Sequence, residues 1–202
     1  MFNARGIFHS NIRQADQLGD LYEYLRNTIS IPAQFDDLLR SQIVNAVSAF
    51  DKLMHDLIRI GMVKIFENQR PPTGKYLIEA IAIQHLPGLA AGAVPPPAVR
   101  FEEIVREILS KLSFQDPIKI AEGLSYIWNE NQKWNKIAMG LGILEEDAKR
   151  KQRLIVTRRN AIVHEADLDP VTNQKQTITR AEATDISNFL FALGNRIYDL
   201  VA

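Results

Sequence analysis

The sequence predicts an all-α protein, a helical bundle, and three observations carry that prediction. Apolar residues recur at steps of three and four through most of the chain, the spacing of one face of an α-helix. Helix-start patterns stand at Asp116-Pro117 and at Thr179 with Glu182 three residues on. No stretch alternates apolar and polar residues well enough to compete as a strand.

The long helix, second in the bundle, is expected between Pro32 and Phe66. Leu39, Ile43, Val47, Phe50, Met54, Leu57 and Ile58 share one face of it, and Pro32 suits its first turn. Pro71, Pro72 and Gly74 end the pattern, and a shorter apolar segment runs from Tyr76 to Leu86. Between Pro87 and Pro97 the sequence reads PGLAAGAVPPP. Its prolines cannot donate backbone hydrogen bonds and its glycines favour irregular backbone, so a Pro-rich surface loop is predicted. The preceding helices carry broad apolar faces that need partners, so residues 1–202 are expected to form one domain. Further helices are predicted over Arg100 to Leu112, Pro117 to Trp128 and Gln132 to Leu141. Another runs from about Leu144 to Ala166, with Glu145, Glu146 and Asp147 at the positive end of its dipole. Leu168, Asp169 and Pro170 are expected to stop it, since a residue before proline is pushed out of the helical region. The last helix opens at Thr179 and continues through Phe189, Leu193, Ile197 and Leu200.

Composition narrows the function classes. Of 202 residues, 46% are hydrophobic, which suits a packed core. Cysteine is absent, which excludes disulfides, thiolate metal sites and cysteine nucleophiles and fits a cytoplasmic setting. Arg5, His9, Arg13, Asp16 and Asp20 interrupt the opening stretch, so no signal peptide is expected, and no later stretch is apolar enough to span a membrane. The 24 basic residues balance 24 acidic ones, so attraction to a polyanion requires local clustering.

Such a cluster lies in Lys149 to Asp167, KRKQRLIVTRRNAIVHEAD. Lys149, Arg150, Lys151, Arg153, Arg158 and Arg159 have no acid among them between Ala148 and His164. The run suits a phosphate backbone, with Lys151, Arg153 and Arg158 as the RNA-binding candidates; the rival reading is a solvated helix face. At about 100° per residue, Ile155 and Ile162 fall on one flank and Val156 and Val163 on the other, with Arg159 between them. A charge on an apolar stripe is costly unless compensated. Either a buried carboxylate holds Arg159 in the fold, or its guanidinium serves an anion. His164 lies about 140° further round, with Asn160 between the two. As a helix-end histidine it has the alternative of interacting with the last carbonyls.

Arg159 and Asn160, followed after three residues by His164, match the R-x4-6-H motif of the HEPN superfamily. The context RRNAIVHEAD, together with AVSAFDKLMHDLI from Ala46 to Ile58, resembles the RiboL-PSP branch of that superfamily. The resemblance covers most of the chain, although the Pro-rich loop has no counterpart in it. It implies a HEPN-like bundle that dimerises and sets two motifs side by side in one cleft. The implied activity is metal-independent RNA cleavage, in toxin, antiphage or RNA-processing systems. Carried over, Arg159 would bind the scissile phosphate, His164 would transfer a proton, and Asn160 would orient either. The implied partners are RNA, a second copy and, for a toxin, an antitoxin. The other reading is a non-catalytic HEPN-like module for RNA or nucleotide binding or for dimerisation.

Asp51 and His55, one turn apart on the long helix, are a further pair, either supporting the site or forming a surface ion pair. Some HEPN proteins add an acid from another helix, and Asp51 is the matching choice. Glu165 and Asp167 sit at the negative end of their helix, where an arginine partner is expected to offset the repulsion, and Glu165 is a further supporting candidate. Tyr126, Trp128 and Trp134 fit either base stacking or the core. His9 and His85 have no partners that single them out. No grouping of carboxylates and histidines has ligand spacing, and no glycine-rich loop follows a strand, so neither metal nor cofactor is expected.

Overall fold

The computed structural model describes residues 1–29, 35–90 and 92–202. Among these the chain forms α1 (Phe2–Ile29), α2 (Asp36–Phe66), α3 (Gly74–Leu77), a 3-10 segment (Ile83–Leu89), α4 (Pro97–Leu109) and α5 (Pro117–Leu124). After them come α6 (Lys133–Leu141), α7 (Glu145–His164) and α8 (Arg180–Val201). The fold is all-α, and its nearest approach to a strand among the described residues is one bridge between Leu168 and Lys175.

The axis of the bundle is α2, which packs against α1, α4, α5, α7 and α8. Leu39, Ile43, Val47, Phe50, Met54, Leu57 and Ile58 are all fully buried, as their spacing requires. Burial of each large side chain contributes about 1.5–3 kcal/mol. Pro32, expected in the first turn, lies outside the described residues.

The N-terminal stretch, read as lacking a signal peptide, is the 28-residue helix α1. It buries Ala4, Phe8, Ile12 and Ala15 against α2 and α8. Its interleaved charges tie it down: Asp16 accepts from Gln42 at 3.0 Å and from Ser187 at 2.6 Å, and Arg5 donates to Asn195 at 2.9 Å. The close approach of α1 to α8 depends on Gly194, where a Cβ would fall 2.5 Å from the Phe8 ring.

The helix expected over Arg100 to Leu112 runs instead over Pro97–Leu109, with prolines at its start, and three further boundaries differ from expectation. The segment from Tyr76 to Leu86 does not form one helix but splits into the single turn α3 and the 3-10 segment, leaving Leu77, Ile78, Ile83 and Leu86 exposed. The Pro117 helix stops at Leu124, and Tyr126 and Ile127 turn inward into the core. Most consequential, α7 ends at His164, before Pro170 can act. Ala166 and Asp167 follow it in the left-handed region, at φ +51° and +59°, and the Asp167 N–H closes on the Ala161 carbonyl at 2.9 Å. The start of α8 is as read: the Thr179 hydroxyl accepts from the Glu182 N–H at 3.1 Å. None of the described helices is long and apolar enough to cross a membrane.

Candidate active site

Helix α7 buries Ala148, Gln152 and Ile155 and half-buries Ile162. Gln152 donates to the Gln115 carbonyl at 2.8 Å, which fixes the rotation of the helix against the loop before α5. The Val156 and Val163 flank is more open, and Val163 is 45% exposed. Arg159 lies in line with the packed residues and is itself half-buried.

Most of the basic run is neutralised. Lys149 donates to Glu145 at 2.5 Å and Glu146 at 3.2 Å, and the Glu145 contact raises its pKa above the ordinary lysine value. Arg150 pairs with Asp147 at 2.9 Å and Lys151 with Asp185 at 2.9 Å. These are exposed pairs worth at most about 1 kcal/mol, so a phosphate can displace them. Arg158 is different: it is mostly buried, and it donates to the Gln176 side chain at 2.6 Å and to the Thr177 carbonyl at 2.9 Å. Expected on an RNA-facing surface, Arg158 is instead spent on the interior. Among the described residues, only Arg153 and Arg159 of the six cations have no acidic partner.

The acid that takes Arg158 is Asp167, a fully buried carboxylate. Arg158 Nη1 lies 2.9 Å from Oδ1, too far off axis for a hydrogen bond, while Arg40 Nε donates to Oδ2 at 2.6 Å. Arg40 also donates to the Gln176 carbonyl at 2.6 Å, and the Gln176 N–H returns to the Asp167 carbonyl at 2.8 Å. This network pulls the chain after His164 back under α2 and so sets where α7 ends. Its signal in the sequence was the expected arginine partner for an acid at this helix end; Arg40, on the long apolar face, gave none.

Arg159 is half-buried, with its Nε enclosed and unpartnered, and its Nη1 donates to Asn160 Oδ1 at 3.0 Å. The guanidinium thus reaches round the helix toward the side that carries Asn160 and His164. Both of these are exposed, and His164 is the last residue of α7. No acid within ion-pair distance holds Arg159 among the described residues. Beside the helix end an open groove of about 370 Å³ runs between α7 and the start of α2, lined by Arg40, Ser41, Asn45, Ile162 and Lys175 among others.

The model of the RiboL-PSP-HEPN family matches residues 10–202, nearly the whole chain. The chain belongs to this family. HEPN domains are often ribonucleases or nucleotide-binding modules, and they commonly bind RNA and dimerise. No curated protein and no solved structure is similar enough to match.

In this RiboL-PSP-HEPN chain, the remaining candidates make contacts elsewhere in the fold. Asp51 accepts from the Phe114 N–H at 2.7 Å and from the Gln115 amide at 3.2 Å, bracing the loop between α4 and α5. His55 lies 3.9 Å from Asp51 and packs edge-on against Phe114. No hydrogen bond or ion pair among the described residues joins this pair to Arg159, Asn160 or His164. Glu165 is exposed, and its N–H caps the helix on the Ala161 carbonyl at 3.0 Å. Tyr126 and Trp134 are buried and Trp128 is half-buried; burial, followed by the Glu79 carboxylate, pushes the Tyr126 hydroxyl up. His9 bonds Asn195 at 2.7 Å, and His85 lies 3.5 Å from Glu107. No group of three metal-ligating side chains occurs among the described residues.

Proposed function

We propose that this chain is a metal-independent endoribonuclease of HEPN type, with Arg159, Asn160 and His164 acting in a cleft shared by two copies. What supports the reading is Arg159: a guanidinium with no acidic partner among the described residues, resting on the exposed amide of Asn160, with the exposed His164 one turn further along the helix. RNA carries its own nucleophile. The O2′–P bond forms, the P–O5′ bond breaks, the 2′-hydroxyl proton leaves to a base, and the 5′-oxygen takes a proton from His164. The products are a 2′,3′-cyclic phosphate and a 5′-hydroxyl. An imidazole N–H can hand its proton to a leaving oxygen, which suits His164 to the donor role. Arginine's fork holds two phosphate oxygens and stabilises the charge that builds on them. Residues 1–202 would act as one cytoplasmic domain, held by an antitoxin if the role is that of a toxin.

The test is purified protein with end-labelled RNA in EDTA. Cyclic-phosphate ends that disappear in both Arg159→Ala and His164→Ala are expected. RNA left intact under all conditions, or cut equally by both variants, overturns the reading. One observation favours the second reading, a binding module: about 140° of helix separates Arg159 from His164. A chain that remains monomeric at micromolar concentration would then bind RNA without cutting it.

A further inference from the structure

A second groove, of about 500 Å³, lies at the opposite end of α7. One wall is α5, with Ile118 61% exposed beside Ala121; the other is α7, with Lys149 and Arg153. The turn into α6 closes it with Asn131, Gln132 and Lys133. The charges within it do not cancel evenly. Glu122 is paired with Lys119 at 2.8 Å, and Glu145 with Lys149. Arg153 keeps its charge unpaired among the described residues, and Lys133 donates only to the Glu130 carbonyl. Neither the Asn131 nor the Gln132 side-chain amide has a hydrogen-bond partner among the described residues, so both are free to meet a base edge. An apolar wall, free amides and an unpaired guanidinium are the complement of one nucleotide.

Helix geometry connects this groove to the proposed cleavage site. Arg153, Asn160 and His164 are all exposed and fall within about 40° of one another around α7. From Arg153 the other two lie roughly 10 Å and 16 Å along the axis. A strand following this line would have one nucleotide in the groove while a phosphate a few nucleotides away met Asn160 and His164.

We propose that the groove between α5 and α7 is a remote subsite for single-stranded RNA, with Arg153 contacting a phosphate and Asn131 and Gln132 meeting a base. The proposal rests on the ribonuclease reading for its substrate class. The test is fluorescence anisotropy of the full-length His164→Ala protein with single-stranded RNAs from two to twelve nucleotides. Affinity should rise steeply once the RNA is long enough to reach from the cleavage site to the groove. Adding Arg153→Ala should remove about tenfold of that gain and lower the slope of log affinity against log salt by about 1. Because Arg153 is exposed and its side chain makes no hydrogen bond or ion pair among the described residues, an unchanged melting curve should accompany it. Gln132→Ala should alter base preference at the remote position only. If Arg153→Ala keeps the full gain with length, or weakens the shortest RNA as much as the longest, the subsite is overturned, even where cleavage depends on Arg159 and His164. If the length dependence and the Arg153 effect appear in a wild-type protein that never cuts RNA, the subsite stands and the ribonuclease reading falls. If no RNA binds, both fall.

Discussion

Arg158 spends its guanidinium on Asp167, Gln176 and Thr177, whereas Arg159, the next residue, reaches only the amide of Asn160 among the described residues. The two share residue type, helix and sequence surroundings, and differ by one step of about 100° around α7. That step carries Arg158 toward the returning loop and its buried acid, and leaves Arg159 half-buried with no acid within ion-pair distance among the described residues. A buried carboxylate demands compensation, so the arginine beside it is part of the fold. An arginine that no acid claims can use its charge on a ligand. In this chain the acid that would have explained Arg159 away exists, but it holds the neighbour.

The largest effect should come from the open arginine. Arg159→Ala is expected to lower kcat for RNA by at least about 100-fold, the scale of losing one donor to a developing anion, with denaturation unchanged. Equal activity in wild type and variant would break the contrast at once. Arg158→Met should do the reverse. It leaves Asp167 with Arg40 alone, and a cost of about 2–3 kcal/mol in urea denaturation is expected for removing one partner of a buried carboxylate together with the bonds to Gln176 and Thr177. A variant as stable as wild type would show that Arg158 is not committed to the interior.

Asp51→Ala sharpens the comparison at a second acid. Losing the acceptor for the Phe114 N–H should cost about 1–2 kcal/mol while the rate per folded molecule holds. A tenfold rate loss at full stability would return Asp51 to the site. The smallest effect concerns Asp37, at the mouth of the groove beside α7. The Lys175 ammonium bonded to it at 2.7 Å is the main cause holding its carboxyl below the ordinary 3.8. A depressed carboxylate pKa adds stability that is fully present above 3.8 and is lost as pH falls through the lower folded value. Lys175→Ala should move the Asp37 titration upward when followed by NMR; an unmoved midpoint would mean that the pair does not form in solution.

Features set by residues close in sequence were legible. The Thr179 cap needs only the Glu182 N–H three positions on, and the buried face of α2 follows from steps of three and four. A helix before the long one was implied, but the extent of α1 was not read, because its charges drew attention to what the segment lacks and away from its period. The site motif was legible as a pattern. The pairing of the basic run was only partly so: Glu145 and Asp147 stand within four residues of Lys149 and Arg150, but Asp185 lies 34 residues from Lys151. The end of α7 was assigned to Pro170, when the cause is Asp167 and a partner 127 residues away in Arg40.

By itself the sequence determined a cysteine-free, strand-poor chain with a HEPN motif near the end of a late helix, since periodicity, capping and motif spacing are local properties. Only the tertiary structure decided which of two adjacent arginines is bound and which is open. That choice turns on where a distant arginine and a returning loop meet a buried carboxylate, and the cost of leaving that carboxylate unpaired is what settles it.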